Sequence, residues 1–329
     1  MSKPDAISAH PFPQRSWAET NGIKMAFHEM GSGPAVILLH GFPELAFSWR
    51  HQIAALAEEG WRVIAPDLRG FGATGCQGAL EDYRLANLAL DILGLMDALG
   101  IGEAVVVGHD FGGFLTWTLA RDHPDRIRGV VSLNTPYTHR GSQDLPATML
   151  RVRGPENYMV VFQQPGVAEA FLGRDPVAMF ARLMCRPALS LAEFEQRADQ
   201  RIRALPMSLF TGDPLLMGEP LLSAAEVDVF ASAFMETGFE GALNWYRNMR
   251  RNWLDTAEAD DRIRVPALMV SAADDYFLPP STTRDMEQHV DDLERYVVPD
   301  CGHWTQQEKP EEINRLLIDW LRRRFVEAV

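Results

Sequence analysis

The stretch Val105–Leu115, Val-Val-Val-Gly-His-Asp-Phe-Gly-Gly-Phe-Leu, decides the fold of this chain. The apolar run Ala104–Val107 predicts a strand that is buried on both faces, as in a parallel sheet. The residues Phe114–Ala120 have the spacing of a helix. The glycines between strand and helix allow a turn in which larger side chains would clash. This order of strand, sharp turn and helix is the layout of a nucleophile elbow, with Asp110 at its centre.

An aspartate at the centre of such a turn indicates a nucleophile that needs no activating base. Its reference pKa is about 3.9, and the N-terminus of the following helix favours the anion. A carboxylate that attacks a saturated carbon with a leaving group forms an ester, so epoxides and alkyl halides both fit as substrates. The alternative is that Asp110 only caps the helix. The glycines around Asp110 favour the nucleophile.

The composition is that of a soluble α/β protein with a large core. The chain has 329 residues, of which 47% are hydrophobic, and a net charge of −14 with a pI of about 5.1. Nucleic acids and anionic membranes are therefore not expected as partners. Three scattered cysteines, Cys76, Cys185 and Cys301, predict neither a disulfide framework nor a metal site. The N-terminus lacks the apolar core of a signal peptide, and we expect a cytoplasmic protein without membrane insertion.

Strands and helices alternate on both sides of the elbow. After an irregular lead-in of about 15 residues, we predict strands over Ile23–Met30, Ala35–Leu39, Arg62–Pro66, Ile127–Leu133, Val265–Val270 and Arg295–Val298. We predict helices over Phe47–Leu56, Leu85–Leu99 and Glu311–Phe325. This alternation predicts a mostly parallel sheet with helices on both faces.

The alternation stops between Thr138 and Asn252, where the sequence indicates helices and loops but no buried strand. Eight of the fourteen methionines lie in this region, which fits either an adaptable apolar cavity or ordinary helical packing. We therefore predict a core formed by residues 1–138 and 254–329, with a helical cap over residues 139–253.

An ester on Asp110 requires a base that activates water for its hydrolysis. Among nine histidines, His303 is the best candidate, because it lies in the loop after the last predicted strand. An acid must orient this histidine, and the sequence leaves Asp274 and Asp275 as equal candidates. A second place for the acid is the end of the strand before the cap, where Asn134 stands.

The two glycine turns supply candidate oxyanion donors. The backbone N–H groups of Phe42 and Phe111 are expected to hold the oxyanion of the ester intermediate. His40 and His109, which lie beside these turns, are interpreted as packing residues.

The leaving group separates the two substrate classes. An epoxide oxygen needs a proton donor such as tyrosine, and Tyr158 and Tyr246 lie in the predicted cap. A halide needs indole or amide N–H donors, which positions 42 and 111 lack because both are phenylalanine. The residues alone leave a haloalkane or haloacid dehalogenase, and a non-catalytic ligand-binding protein, as alternatives.

The chain resembles the epoxide hydrolases of the α/β-hydrolase fold, in particular the hydrolase domain of the mammalian soluble enzymes. The matching segments are His-Gly-Phe-Pro-Glu at 40–44, Ser-Trp-Arg at 48–50, Gly-His-Asp-Phe-Gly-Gly at 108–113, Ser-Leu-Asn-Thr-Pro at 132–136, Phe-Gln-Gln-Pro-Gly-Val-Ala-Glu-Ala at 162–170, Leu-Asn-Trp-Tyr-Arg-Asn-Met at 243–249 and Asp-Cys-Gly-His-Trp-Thr-Gln at 300–306. The likeness extends over nearly the whole chain beyond about residue 15. One departure is Phe111, where the family commonly has tryptophan.

The resemblance implies an α/β-hydrolase fold with a mostly parallel sheet and an inserted helical cap. It implies Asp110 as nucleophile, His303 as base, Asp275 rather than Asp274 as the acid, and Tyr158 and Tyr246 as donors to the epoxide oxygen. The implied reaction opens epoxides to vicinal diols, as in detoxification, without cofactor or metal. The phosphatase domain of the mammalian proteins has no counterpart in this sequence.

We expect a substrate pocket that is lined by Phe42, Pro43, Phe111 and Trp304. The apolar composition of the predicted cap favours small hydrophobic epoxides, which would react with water. A homo-oligomer is compatible with the sequence.

Overall fold

The computed structural model describes residues 12–197, 203–212 and 216–326. Its strands, in chain order, are β1 (Arg15–Thr20), β2 (Ile23–Met30), β3 (Ala35–Leu39), β4 (Arg62–Pro66), β5 (Ala104–His109), β6 (Ile127–Leu133), β7 (Cys185–Pro187), β8 (Met217–Pro220), β9 (Ala267–Ala272) and β10 (Leu293–Val298). Eight of them form one sheet in the order β1-β2-β4-β3-β5-β6-β9-β10. The pairs β1–β2 and β2–β4 are antiparallel, and the remaining pairs of this sheet are parallel. The predicted parallel sheet is thereby confirmed.

The α-helices of the described residues are α1 (Arg50–Glu58), α2 (Leu85–Ala98), α3 (Phe111–Asp122), α4 (Leu145–Arg153), α5 (Tyr158–Val161), α6 (Val167–Leu172), α7 (Pro176–Leu183), α8 (Leu191–Gln196), α9 (Ala224–Thr237), α10 (Glu240–Arg247), α11 (Met249–Asp255), α12 (Thr305–Glu308) and α13 (Pro310–Phe325). Two hydrophobic clusters divide them between the faces of the sheet. Side chains of α2 and α3 pack with Val106 of β5, whereas side chains of α1 and α13 pack with Val105 and Val107. Because neighbouring residues of a strand point to opposite faces, the central strand is buried on both.

Most predicted elements are confirmed, with shifts at their ends. The strands β2, β3, β4 and β6 have the predicted bounds. The strand predicted from Val265 begins at Ala267, because Pro266 has no N–H group for the ladder. The helix predicted over 47–56 is divided into a 3₁₀ turn, Ala46–Trp49, and α1. The strand β1 was not predicted, and most of the expected irregular lead-in lies outside the described residues.

The described residues between β6 and β9 contain the helices α4 to α11 and one antiparallel ribbon, β7–β8. The ribbon is mostly exposed, in agreement with the prediction that this region has no buried strand. We call residues 139–253 the inserted segment.

Polar contacts join the inserted segment to the rest of the chain. The Arg50 guanidinium forms an ion pair of 2.7 Å with Glu226 at the start of α9. The Trp245 indole N–H donates to the backbone oxygen of Arg69 over 2.9 Å. These contacts hold α9 and α10 over the carboxyl ends of the parallel strands.

The turn between β5 and α3 is so close to neighbouring backbone that glycine is required. A Cβ atom at Gly112 would lie 1.9 Å from the carbonyl oxygen of Leu39, and one at Gly108 would lie 2.2 Å from that of Gly112. A Cβ atom at Gly41 would lie 2.4 Å from the Cβ of Asp110. The sequence prediction that side chains would clash in this turn is therefore confirmed.

Replacing Gly112 with alanine should lower the free energy of unfolding, because the new methyl group overlaps the end of β3. We expect a loss of about 1–3 kcal/mol in urea-induced unfolding. Gly102→Ala is the matched control, since its Cβ would meet no atom within 4 Å and its backbone φ is not positive. That variant should be neutral or slightly stabilised. Equal stability of the two variants would contradict the packing described for the turn.

Candidate active site

Asp110 occupies the strained position of the elbow between β5 and α3. Its backbone has φ +50° and ψ −115°, a conformation that is costly for a residue with a side chain. The carboxylate makes no N-cap hydrogen bond, which would go to the second or third N–H group of the helix. The interpretation of Asp110 as a mere helix cap is therefore wrong.

Two backbone N–H groups hold the Asp110 carboxylate. The N–H of Phe42 donates to Oδ1 over 2.8 Å, and the N–H of Phe111 also donates to this side chain. These are the donors that the sequence predicted for an oxyanion. Because Oδ1 is bound in this way, the other carboxylate oxygen is the one available for attack on a ligand.

His303 faces the second oxygen of Asp110 and is oriented by Asp275. The Nε2 atom lies 3.8 Å from Oδ2 of Asp110, and Nδ1 lies 2.9 Å from Oδ2 of Asp275. Asp275 also accepts hydrogen bonds from the N–H groups of Phe277 and Leu278, at 2.8 and 3.1 Å. Asp274 instead accepts from a backbone N–H of the inserted segment.

Asn134 completes the surroundings of Asp275. Its amide donates to Oδ2 of Asp275 over 2.8 Å, and its oxygen accepts from the hydroxyl of Thr305 over 2.7 Å. The two positions that the sequence offered for the acid, at the ends of β6 and β9, thus lie side by side. The end of β9 supplies the carboxylate of Asp275, and the end of β6 supplies the amide of Asn134 that donates to it.

Burial and neighbouring charges set the pKa values of these groups. Burial raises the pKa of Asp110, an effect that His303, His109 and the two N–H donors only partly offset. Burial also acts to raise the pKa of Asp275, but the charge and hydrogen bond of His303 hold it below its usual value. Burial acts to lower the pKa of His303, but the charges of Asp275 and Asp110 raise it to about 9. His303 is therefore protonated at neutral pH, and the negative charge of ionised Asp110 contributes to this.

Tyr158 on α5 and Tyr246 on α10 form a pair within the inserted segment. Their ring centroids lie 6.0 Å apart, and their hydroxyl groups are hydrogen-bonded to each other. Burial, followed by neighbouring negative groups that include Asp110, raises the pKa of both tyrosines well above the usual value. Both hydroxyls consequently keep their protons and are hydrogen-bond donors.

Asp110, Phe111, Tyr158 and Tyr246 line a common cavity of about 460 Å³, a size that suits a small organic ligand. The walls of this cavity are mainly apolar. Three methionines of the inserted segment, Met149, Met159 and Met249, also line it. These side chains support the adaptable cavity that the methionine content suggested, whereas Met179 and Met184 pack in the core.

The predicted pocket lining needs correction for this cavity. Phe111 lines it, but Phe42, Pro43 and Trp304 are not among its lining residues. The Phe42 ring packs edge-on against Tyr246 at 5.2 Å, so its backbone rather than its side chain serves the site. The Trp304 indole packs against His303 and donates to the carbonyl of Leu183 over 3.0 Å, which keeps it in the supporting layer.

A buried polar network beneath the elbow was not predicted from the sequence. Glu44 accepts hydrogen bonds from the Gly41 N–H at 2.9 Å, from His109 at 2.6 Å, and from the amides of Gln306 and Gln307 at 2.9 Å. Burial acts to raise the pKa of Glu44, but His109, followed by the Gly41 N–H and His40, lowers it to about 2. The carboxylate three residues after the His-Gly turn was the signal that could have pointed to it.

His109 has a larger role than the packing residue inferred from the sequence. Its Nδ1 faces the Glu44 carboxylate, and its Nε2 faces the backbone oxygen of His303 at 2.7 Å. Both partners are acceptors, so this arrangement is fully satisfied only when each ring nitrogen carries a proton. His40 fits the packing interpretation, since within the part of the chain that the structure describes its ring bonds to the backbone of Gly41 and Leu68.

A family model described as the alpha/beta hydrolase fold matches residues 34–310 of this chain. Epoxide hydrolase A of Mycobacterium tuberculosis is 39% identical over 319 residues, which cover 94% of this chain and 97% of that protein. Bifunctional epoxide hydrolase 2 of Sus scrofa is 41% identical over 305 residues, which cover 91% of this chain and 53% of that protein. The chain therefore spans about half the length of this mammalian relative.

The solved structures agree with the fold described above. Epoxide hydrolase A from Mycobacterium thermoresistibile superposes with a TM-score of 0.83 at 36% identity, covering 94% of this chain and 98% of that one. Potato epoxide hydrolase I superposes with a TM-score of 0.81 at 28% identity, covering 94% and 99%. The chain belongs to the α/β-hydrolase fold family. Within that family it belongs to the epoxide hydrolases.

Among the residues that the structure describes, no helix combines the length and the apolar character needed to cross a lipid bilayer.

Removing the charge of Asp110 should lower the pKa of His303, because that charge is one of the causes that raise it. We expect NMR spectra of the histidine rings, recorded over a series of pH values, to give a lower pKa for His303 in Asp110→Ala than in the wild type. Asp274→Asn is the matched control and should leave the titration unchanged, since this carboxylate bonds to Leu191 instead. An unchanged or increased pKa in Asp110→Ala would refute the coupling.

Proposed function

We propose that this protein hydrolyses epoxides to vicinal diols through a covalent ester on Asp110. The observation that carries the proposal is one cavity that holds a carboxylate with two N–H donors and a pair of protonated tyrosine hydroxyls. A carboxylate supplies the nucleophile, and the hydroxyls supply the proton that the ring oxygen needs when it leaves. The named activities of the related proteins support the same reaction.

Ring opening follows from the charges around Asp110. The free oxygen, Oδ2, forms the bond to a ring carbon while the bond from that carbon to the ring oxygen breaks. The ring oxygen takes its proton from the pair Tyr158 and Tyr246. Because the Asp110 charge helps to raise the pKa of both tyrosines, its loss on ester formation makes proton donation easier as the reaction proceeds.

The same loss of charge prepares His303 to act as a base. While Asp110 is ionised, His303 holds a proton, but the neutral ester removes one cause of its raised pKa. His303 gives this proton to the tyrosinate that ring opening leaves. Neutral His303 then takes a proton from water at Nε2, and the hydroxide attacks Cγ of the ester. The resulting oxyanion is held by the N–H groups of Phe42 and Phe111. Collapse of this intermediate breaks the ester bond, and the diol oxygen takes up the proton from His303. The Asp110 carboxyl group then gives its own proton to His303, which restores the starting charges.

The cavity walls favour hydrophobic epoxides. Apart from the reacting groups, aromatic side chains and three methionines supply much of the lining. Such walls bind an apolar substituent by burying it from water, and flexible methionines tolerate different shapes. We therefore propose small hydrophobic epoxides, together with water, as the substrates.

The engaged indole groups disfavour a halide leaving group. The tryptophans that line the cavity are Trp117, Trp245 and Trp253, and each donates its N–H to a backbone carbonyl at 2.9 Å. None of these three is free to bind a departing halide. The dehalogenase alternative is therefore not supported by this cavity.

We also propose that residues 139–253 act as a cap over a core formed by residues 1–138 and 254–329. The inserted segment carries both tyrosines, whereas the core carries Asp110, Asp275 and His303. The free cysteines, of which Cys185 and Cys301 are buried, fit a reducing compartment and thus a cytoplasmic protein.

Single-turnover hydrolysis of an aryl epoxide in ¹⁸O-labelled water tests the ester pathway. The first diol should contain no label, because its new oxygen comes from Asp110, and the peptide with Asp110 should gain label. His303→Gln should accumulate the ester, seen as a mass increase of that peptide by one epoxide. Labelled diol with unlabelled Asp110 would mean direct attack by water and would refute the covalent mechanism.

Loss of both tyrosine hydroxyls should impair ring opening rather than ester hydrolysis. We expect Tyr158→Phe with Tyr246→Phe to slow ester formation by about 10²–10⁴-fold in stopped-flow measurements, the usual effect of a general acid. Tyr296→Phe is the matched control, because Tyr296 lies on β10 and its hydroxyl donates to Glu312 over 2.8 Å. Ester formation at the wild-type rate in the double variant would exclude the tyrosines as the acid.

A further inference from the structure

A cluster of metal-binding side chains lies where the loop after β6 meets the chain that leads into β9. It consists of His139, Asp261 and His289, which come from three distant parts of the sequence. We propose that these three residues bind one divalent transition-metal ion of borderline softness, of which Zn²⁺ is the representative. This site is separate from the residues of the proposed reaction, and it departs from the expectation that the chain holds no metal.

The ligand atoms already converge. The Oδ2 atom of Asp261 lies 3.1 Å from Nδ1 of His289 and 3.9 Å from Nδ1 of His139, and one ligand atom from each residue falls within 4.8 Å of the others. Zinc bonds of about 2.0–2.2 Å in tetrahedral geometry place ligand atoms roughly 3.3–3.5 Å apart. The observed separations bracket this range, so small side-chain rotations complete the geometry.

The donor set fits borderline cations. Two imidazoles and one carboxylate suit Zn²⁺, Ni²⁺ and Cu²⁺ better than Mg²⁺ or Ca²⁺, which prefer oxygen ligands. The two imidazole rings are nearly parallel, with an interplanar angle of 9° and a centroid distance of 5.2 Å. The side chains of His139 and Asp261 are 60% and 47% exposed, which gives an ion access from solvent and leaves room for a water ligand.

The neighbouring charged side chains pair with one another, and Asp261 pairs with the two histidines. The neighbouring carboxylates Asp260 and Asp291 are paired with Arg264 and Arg262. The ion pairs found for Asp261 within the described residues are with His139 and His289. An anionic oxygen between two imidazoles, with the nearby arginines engaged elsewhere, is an arrangement in which a cation can replace the imidazole protons.

The backbone holds the three ligand-bearing segments together independently of any ion. The hydroxyl of Tyr137, two residues before His139, donates to the backbone oxygen of Asp261 over 2.8 Å. The N–H of Ile263 donates to the backbone oxygen of His289 over 2.8 Å, and these two segments form an isolated β-bridge there. A site whose ligands are positioned in advance loses less conformational entropy on binding.

The cluster is also connected to the main cavity. Residues 137–141 contribute to the cavity wall, and His139 is among them. The guanidinium of Arg140 stacks on the Trp253 ring at 3.8 Å, which joins the beginning of the inserted segment to its end. A metal bound to His139 would therefore tie one wall of the cavity to the core. The binding itself does not depend on the proposed epoxide chemistry.

Calorimetric titration of the tag-free, chelator-treated full-length protein with ZnCl₂ tests the proposal. We expect one ion per chain and a rise in melting temperature with Zn²⁺. His139→Ala, His289→Ala and Asp261→Asn should each weaken binding by at least about tenfold. His123→Ala is the matched control, since this half-buried histidine at the C-terminal end of α3 lies outside the cluster and should leave affinity unchanged.

The absorption spectrum of bound Co²⁺ is a second measurement, which tests the site without relying on the affinity. Bound Co²⁺ should give the visible absorption of a four-coordinate site in the wild type and in His123→Ala, and this spectrum should be lost in the three cluster variants. Circular dichroism establishes that each variant is folded. Absence of saturable binding would overturn the proposal. Binding that persists unchanged in all three variants would also overturn it, because the ion would then lie elsewhere, for example at the exposed Cys76.

Discussion

A buried carboxylate at a strained backbone position is the constraint on which the rest of this structure depends. Asp110 has a positive φ and an environment that raises its pKa, so both its conformation and its charge are costly. The glycines at 41, 108 and 112 make the position possible, because each allows backbone to approach where a Cβ atom would clash. The N–H groups of Phe42 and Phe111 then offset part of the cost of the buried charge.

Charge balance around this carboxylate links the layers of the site. His303 lies between Asp110 and Asp275, and its raised pKa depends on both. Beneath it, His109 bonds to the backbone oxygen of His303 and to Glu44, so the loop that carries His303 is tied to the strand that leads into Asp110. Neutralising Asp110 therefore lowers the proton affinity of His303, because it removes one of the charges that raise it.

The sheet explains why these groups meet. The parallel strands β3, β5, β6 and β9 end at the same edge, and each delivers part of the site within a few residues of its end: Phe42, Asp110, Asn134 and Asp275. The inserted segment then brings Tyr158 and Tyr246 over this edge, held by contacts such as that of Arg50 with Glu226. The sheet and its flanking helices thus carry Asp110, Asp275 and His303, and the inserted segment carries the two tyrosines and part of the apolar cavity wall.

The sequence by itself determined the parallel sheet, the elbow and the places where polar residues follow strands, because these depend on local periodicity and on glycine at fixed spacing. It also pointed to His303 and to the pair Asp274 and Asp275, between which only the likeness to a known family chose. The tertiary structure decided which segments of the chain meet. It paired Asn134 with Asp275 and joined Glu44 to His109. It also placed Trp304 outside the cavity lining and brought His139 next to His289. Such contacts join residues far apart in sequence, and no local pattern encodes them.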